Sequence, residues 1–200
     1  METIEISLGE RHYDICIDYS HLERLPEKMS ERISYERVLV VTNTTIADLY
    51  AERVVDILNN SDFTPELFIV PDGEHFKDIN TLSSIYDFLI ENNFPRQCTV
   101  LALGGGVVGD MAGFAAATYM RGVNFVQLPT SYLAMVDASV GGKVAINHPL
   151  SKNLIGAFYQ PQLVLINLEF LETLPHEELL AGFAEVIKYE IGRASCRERV

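Results

Sequence analysis

Positive charge is scarce in this sequence. Lys and Arg together number 15 against 28 Asp and Glu, for a formal net charge of −13. The few cations form no runs, which excludes a general binder of nucleic acid or of anionic membranes. Any anionic ligand must therefore be met by individually placed cations. Long apolar runs are missing too. None reaches the roughly 18 residues of a membrane span, and the opening METIEISLGER puts charges where a signal peptide needs an apolar core. The expectation is a cytoplasmic protein with no membrane partner.

Cysteine is sparse as well. Cys16, Cys98 and Cys196 are far apart, odd in number and without CxxC spacing, which argues against a disulfide framework and a cysteine zinc site, so the thiols read as reduced and structural. His12, His21, His75, His148 and His176 lack the HxxxH or HxxE spacing of a helical metal site. No internal repeat and no low-complexity linker interrupts the chain.

What is present is a well-stocked core: 48% of the 200 residues are apolar, enough for one or two domains. Residues 2–8 and 12–18 alternate apolar with polar around Gly9-Glu10-Arg11 and read as a β-hairpin. A short helix is expected over 21–31. Then apolar runs at 37–41, 67–70 and 99–103 alternate with helical patterns at 80–92 and behind Thr44, the latter with Ile46, Leu49, Tyr50, Val54, Ile57 and Leu58 as its apolar positions. This is an α/β pattern with a parallel, Rossmann-like sheet and flanking helices, in which ligands sit beyond the carboxyl ends of the strands. Further strands are expected at 123–128 and 163–166, a helical turn over 132–139, and a closing helix with Pro175 as its first residue.

Three segments fall on the same rim: 42–45, PDGEHFK (71–77) and GGGVVGD (104–110). The last follows a buried strand and opens a small-residue helix, with Asp110 expected in its first turn. Free backbone N–H groups and the positive end of a helix dipole suit a pyrophosphate. GGGVVGD departs from the strict GxGxxG fingerprint, so on spacing alone phosphate binding and a tight structural corner stay equally open. Asp137, Lys143, Lys152 and Asn153 lie among small or apolar neighbours, where ionisable groups are usually paired or functional. Glu185 and Lys188 are three apart on one helix, the spacing of an ordinary surface pair.

The runs VGGKVAINHP, KNLIGAF and GFAEVIKY, with GGGVVGDMAGFAAATYMRG before them, closely resemble the 3-dehydroquinate synthase family from about residue 2 to Tyr189. The resemblance implies an NAD-dependent, metal-assisted lyase acting on a small-molecule sugar phosphate, 3-deoxy-D-arabino-heptulosonate 7-phosphate. In that family NAD transiently oxidises a ring hydroxyl, phosphate is eliminated, the ketone is reduced again, and ring opening with an internal aldol gives 3-dehydroquinate.

Carried over by position, the cofactor contacts are Asp72, Gly73, Glu74, His75, Phe76 and Lys77; Gly106, Val107, Val108, Gly109 and Asp110; Thr130 and Ser131; Lys143 and Lys152; and Phe170, Leu171, Glu172 and Thr173. Asn43 stands where relatives often hold an Asp against the adenosine ribose, and Ser131 replaces a common Thr while keeping the hydroxyl. Arg121, Asp137, Lys143, Lys152, Asn153 and Lys188 match substrate-binding, catalytic positions, with Arg121 just past the helix as the first substrate contact. Glu185 matches one ligand of the catalytic Zn²⁺ (or Co²⁺). The family habit is a homodimer.

The same resemblance divides the chain into an NAD-binding α/β domain (1–174), the first helix of a second, helical domain (175–189), and a tail (190–200). The second domain carries the two histidine zinc ligands in relatives and is missing here, so a fragment of this length is expected to be inactive. EIGRASCRERV is the in-frame translation of a sequencing-adapter oligonucleotide, and the tail is set outside the fold. Two other readings stay open: a sister sugar-phosphate cyclase, and a non-catalytic NAD-binding module.

Overall fold

The computed structural model describes the backbone of residues 1–8 and 11–197. Its strands are β1 (Glu2–Leu8), β2 (Arg11–Asp18), β3 (Arg37–Asn43), β4 (Thr64–Val70), β5 (Thr99–Gly104), β6 (Asn124–Pro129), β7 (Lys143–His148), β8 (Ser151–Phe158) and β9 (Leu163–Asn167). The helices are α1 (Leu25–Ser30), α2 (Thr44–Ile46), α3 (Glu52–Asn59), α4 (Ile79–Glu91), α5 (Gly106–Thr118) and α6 (His176–Arg197). A wide turn, Ala47–Ala51, joins α2 to α3.

Seven strands form one sheet in the order β1-β2-β9-β6-β5-β3-β4. Only β1 and β2 are antiparallel; every other pairing is parallel. The chain leaves β3 outward to β4 and returns on the other side of β3 to β5. The strand order therefore reverses between β3 and β5, the place where open α/β sheets hold ligands at their carboxyl ends.

Side-chain alternation sorts the core into two layers. Val38, Val40, Leu101 and Leu103 face α1 and α3 with Leu25, Met29, Val54 and Leu58, while Leu39, Val41, Val100 and Ala102 face α4 and α5 with Leu82, Ile85, Met111 and Ala112. Period-2 strands covered on both faces explain the continuous apolar runs of the sequence. The small residues of α5 serve close packing: a Cβ on Gly113 would stand 2.8 Å from the Phe125 ring.

Several expectations change. Asp110 is the fifth residue of α5, in its second turn rather than its first. Leu49 is exposed, because the wide turn rotates it off the apolar stripe. Pro175 precedes α6, accepting the Leu179 N–H through its carbonyl at 3.0 Å. The sheet strands β3 and β4 extend further than their apolar runs, since pairing carries Thr42, Asn43 and Thr64 into the ladder. β7 and β8 form a separate antiparallel hairpin packed on α5. The 9–10 turn lies outside the described residues, as does the end of the 190–200 tail, and α6 runs without a break across the expected boundary at 189. Cys16 and Cys98 are buried free thiols, the latter pushed up to about 11 by burial. No helix among the described residues is long and apolar enough to cross a membrane.

Candidate functional site

The rim begins at the end of β3. Asn43 caps the following helix through Oδ1, which accepts the Ile46 N–H at 2.9 Å, and its Nδ2 donates to Asp72 Oδ1 at 2.6 Å. Thr45 Oγ1 donates to the second oxygen of Asp72 at 2.8 Å. The adenosine-ribose position is thus occupied by a side chain already serving as a cap and as a brace for Asp72. Asp72 leads into Gly73 at φ 120°, a backbone that a side chain would strain, and then a short turn, Glu74–Phe76, where the His75 and Phe76 rings lie 4.0 Å apart. Lys77 turns inward and is buried.

The glycine turn lies next to it. Gly105 is extended and caps α5 with no side chain, and the first helical bond is Gly109 N–H to the Gly105 carbonyl at 3.0 Å. The N–H groups of Gly106, Val107 and Val108 precede that bond and have no partner within the helix. A Cβ on Gly105 would sit 3.3 Å from Ser131 Oγ, and one on Gly106 3.4 Å from the Ala138 Cβ. The glycine backbone therefore comes close to the Ser131 and Ala138 wall, an approach that side chains at these positions would crowd. Thr130 Oγ1 is buried there with no hydrogen-bond partner among the described residues. These features fit the phosphates of NAD. Val108 and Gly109 differ from the rest of the run: the Val108 side chain is in the core and Gly109 faces the Gln127 carboxamide.

Asp110 pairs with Lys77 across the rim. Burial pushes its carboxyl above the usual range, and the hydrogen bond and charge of Lys77 oppose that shift. Beyond it, Asp110, Asp137, Lys143 and Asn153 line one groove of about 550 Å³ between α5, the Ala134–Ala138 turn and the β7–β8 hairpin. The Tyr189 hydroxyl of α6 donates to Asp137 Oδ1 at 2.9 Å, and the carboxylate raises the phenol's pKa. Lys143 is exposed, with no ion pair among the described residues.

Three expected substrate groups are not gathered into that groove. Lys152 lines a neighbouring hollow with Glu74, His75 and Asn147, its Nζ 3.9 Å from Glu74 Oε1. Lys188 donates to Glu185 Oε1 at 2.8 Å on the exposed side of α6. Arg121 is separated most. α5 runs back along β5, and a 13-residue helix is about 20 Å long, so Arg121 sits at the opposite end of the sheet from Gly106. It is not the neighbour of the phosphate cradle that the sequence suggested, because adjacency in the chain becomes the full length of a helix in space.

The segment Phe170 to Thr173 follows β9 on the rim but turns its side chains to other tasks. Phe170 is buried with its ring 4.6 Å from that of Tyr50, Thr173 hydrogen-bonds the Tyr50 hydroxyl, Leu171 packs on the core, and Glu172 accepts from Tyr19 at 2.9 Å. Asn147 and Tyr189 escaped the sequence reading. Nothing in NHP beyond a turn signal points to the bonds Asn147 makes with Glu74 Oε1 (2.8 Å) and with the Asn153 N–H (3.0 Å).

Metal ligation is a different matter. No three His, Cys, Asp or Glu side chains among the described residues stand together as a cation would require, and Glu185 is engaged by Lys188. One carboxylate does not make the three-ligand site of a catalytic zinc.

A family model described as 3-dehydroquinate synthase N-terminal matches residues 67–181. The chain is 54% identical to the chloroplastic 3-dehydroquinate synthase of Solanum lycopersicum over 192 residues, 95% of this chain and 43% of that protein. It is likewise 54% identical to the 3-dehydroquinate synthase of Azotobacter vinelandii over 189 residues, 94% of this chain and 51% of that one. Among solved structures, 2-epi-5-epi-valiolone synthase from Streptomyces hygroscopicus subsp. jinggangensis, with NAD⁺ and Zn²⁺ bound, superimposes with a TM-score of 0.81 at 32% identity, covering 92% of this chain and 50% of that one. A 2-deoxy-scyllo-inosose synthase complexed with carbaglucose-6-phosphate, NAD⁺ and Co²⁺ shares the fold at a TM-score of 0.87 and 24% identity, over 94% of this chain and 50% of that one. The chain spans about half the length of the curated relatives it matches. With the model covering more than half of these 200 residues, the protein belongs to the 3-dehydroquinate synthase family and corresponds to its N-terminal domain.

Proposed function

We propose that this chain is the cofactor half of a 3-dehydroquinate synthase, converting 3-deoxy-D-arabino-heptulosonate 7-phosphate to 3-dehydroquinate and phosphate once joined to a second, metal-binding domain. The observation that carries the reading is the side-chain-free start of α5 facing Ser131 and Ala138, directly beside a groove lined by Asp137, Lys143 and Asn153. NAD supplies reversible hydride acceptance at the substrate hydroxyl. The chain's residues do the rest on this side of the cleft. The N–H groups of Gly106, Val107 and Val108 hold the pyrophosphate, Thr130 and Ser131 offer hydroxyls beside it, and Lys143 brings an unneutralised cation to the sugar's anionic groups. Asp137, held by Tyr189, is placed to accept a hydrogen bond from a sugar hydroxyl. Glu185 is the contribution of α6 to a metal site whose other ligands lie elsewhere.

Residues 1–174 form the cofactor domain and α6 begins the next. A homodimer and a cytoplasmic location belong to the same proposal, and so does the inactivity of this length of chain alone. A sister cyclase acting on another sugar phosphate is the second reading, favoured by the two solved neighbours. Identity of 54% to named 3-dehydroquinate synthases, against 32% to the valiolone synthase, supports the first.

Titration calorimetry with NAD tests the cradle. Binding by the wild type that is lost in Gly106→Val supports it, and equal binding by both removes it. Phosphate release from the heptulosonate phosphate against glucose 6-phosphate, in the protein extended to the length of its relatives, tests the substrate; release from glucose 6-phosphate alone selects the sister activity.

A further inference from the structure

The helix α6 rests on the rest of the chain through a narrow footprint. Of its residues 176–190, Gly182 alone is buried, while Leu180, Phe183 and Ile187 near it are exposed. A Cβ on Gly182 would stand 2.5 Å from Tyr132 Cδ1 and 2.7 Å from Tyr132 Cβ and Cγ, closer than non-bonded carbon atoms approach one another. The half-buried Tyr132 side chain thus occupies the room that a side chain at 182 would need. The Phe183 ring meets the same tyrosine edge-on, with 5.1 Å between ring centres. Two turns further along α6, Tyr189 donates to Asp137.

Both footholds lie on one segment, 131–138, which is also the wall beside the glycine turn at Gly105 and Gly106. The segment is tied down at its start. Ser131 Oγ accepts the Ala134 N–H at 3.3 Å, the Ser131 carbonyl accepts the Met135 N–H at 3.0 Å, and Ala134 and Met135 are buried. It therefore meets the glycine turn with Ser131 and Ala138, and α6 with Tyr132 and Asp137. Glu185 and Lys188 follow Gly182 by three and six residues, about 4.5 and 9 Å along the helix axis. The Tyr132–Gly182 contact accordingly sets how far both stand from the glycine turn.

We infer that Tyr132 is a positioning residue of the proposed cyclase site: its ring, seated where α6 carries no side chain, fixes the helix bearing Glu185 and Lys188 against the wall of the glycine turn. The contact is made by carbon atoms of Tyr132 and not by its hydroxyl. What Glu185 and Lys188 do once held rests on the functional reading above, whereas the hold itself rests on packing alone. A Cβ at 182 must push α6 outward by about 1 Å to reach an ordinary carbon contact. A displacement of that size between reacting groups costs up to about a hundredfold in rate.

Two measurements on Gly182→Ala and Tyr132→Phe test this. The first is amide hydrogen exchange over 183–189 in the chain of 200 residues. Alanine is a better helix former than glycine, so an α6 that Tyr132 does not hold exchanges about fivefold more slowly after Gly182→Ala. The expected result has the opposite sign, exchange faster by about threefold or more, because the added methyl lifts α6 off its seat, with Tyr132→Phe like wild type. Slower or unchanged exchange in Gly182→Ala overturns the inference. The second measurement takes the protein extended to the length of its relatives and reads the Kd for NAD with the kcat and KM for the heptulosonate phosphate. Gly182→Ala is expected to lower kcat by about tenfold or more while the NAD Kd stays within about twofold, and Tyr132→Phe to keep the wild-type kcat. An unchanged kcat, or NAD affinity down by about tenfold, overturns the positioning role. If Gly182→Ala does not fold, Tyr132→Ala, which removes the ring without adding an atom, is read in its place: faster exchange with NAD affinity preserved supports the inference, and unchanged exchange overturns it. If the wild type turns over no heptulosonate phosphate, the functional reading fails, and exchange over 183–189 still decides whether Tyr132 holds α6.

Discussion

Two Lys–carboxylate pairs in this chain have similarly covered carboxylates, 20% exposed at Asp110 and 16% at Glu185, and lysines in opposite surroundings. Lys77 and Asp110 meet from two segments 33 residues apart, with the lysine side chain 5% exposed; Lys188 and Glu185 are three apart on α6, with the lysine side chain 72% exposed. Removing one partner of a buried pair leaves a charge without solvent or counter-ion, whereas water replaces the missing partner of an exposed pair. The first pair therefore ties two distant segments together, and the second joins neighbours on one helix.

Breaking the buried pair should have the largest effect. Lys77→Met is expected to lower stability by about 3 to 5 kcal/mol, read as the denaturant midpoint, because Asp110, whose side chain is only 20% exposed, loses its countercharge and Asn153 loses its donor. Asp110→Asn should cost less, about 1 to 3 kcal/mol, since the amide still accepts from Nζ. A loss from Asp110→Asn as large as that from Lys77→Met would show that charge, not the hydrogen bond, dominates the junction.

Asp78, the next residue, sharpens the comparison on a group that is only partly covered. Burial disfavours its carboxylate, but the Thr81 N–H and hydroxyl and the Asn80 amide more than offset this, so its pKa lies below the ordinary carboxylate value. A lowered folded-state pKa means stability that is present above the unfolded value and is lost as pH falls through the folded one. Asp78→Ala should thus cost about 1 kcal/mol at neutral pH, and the gap from wild type should narrow on acidification, followed by thermal melts across pH. A gap that widens in acid would reverse the assignment. The smallest effect belongs to the exposed pair: Lys188→Met should leave the melting temperature unchanged, and any measurable fall would mean that α6 depends on the pair.

Much of the scaffold was legible because it rests on local periodicity. Val38 to Val41 and Thr99 to Leu103 are buried on both faces of a parallel sheet and therefore spell unbroken apolar runs. The glycine turn was legible for the same reason, since a backbone without side chains must be written as glycine. The β7–β8 hairpin was not, because Leu154 and Phe158 are exposed and break the alternation that marks a half-buried strand. The candidate groove was half legible. Composition singled out Asp137, Lys143 and Asn153 as charges and amides among apolar neighbours, but it could not divide Lys152 from them or send Arg121 to the far end of α5.

The sequence by itself determined the α/β alternation, the parallel core strands, the glycine turn at the start of α5 and, through its motifs, the family. Each of these depends on residues close together in the chain or on patterns repeated along it. Tertiary structure alone decided which charges are spent on the fold and which are free for a ligand. Lys77 and Lys143 look alike in one respect, each being a single cation with no other Lys or Arg close to it in the sequence. Whether a cation meets solvent or a buried carboxylate depends on elements dozens of residues away, and local pattern carries no record of what a fold places there.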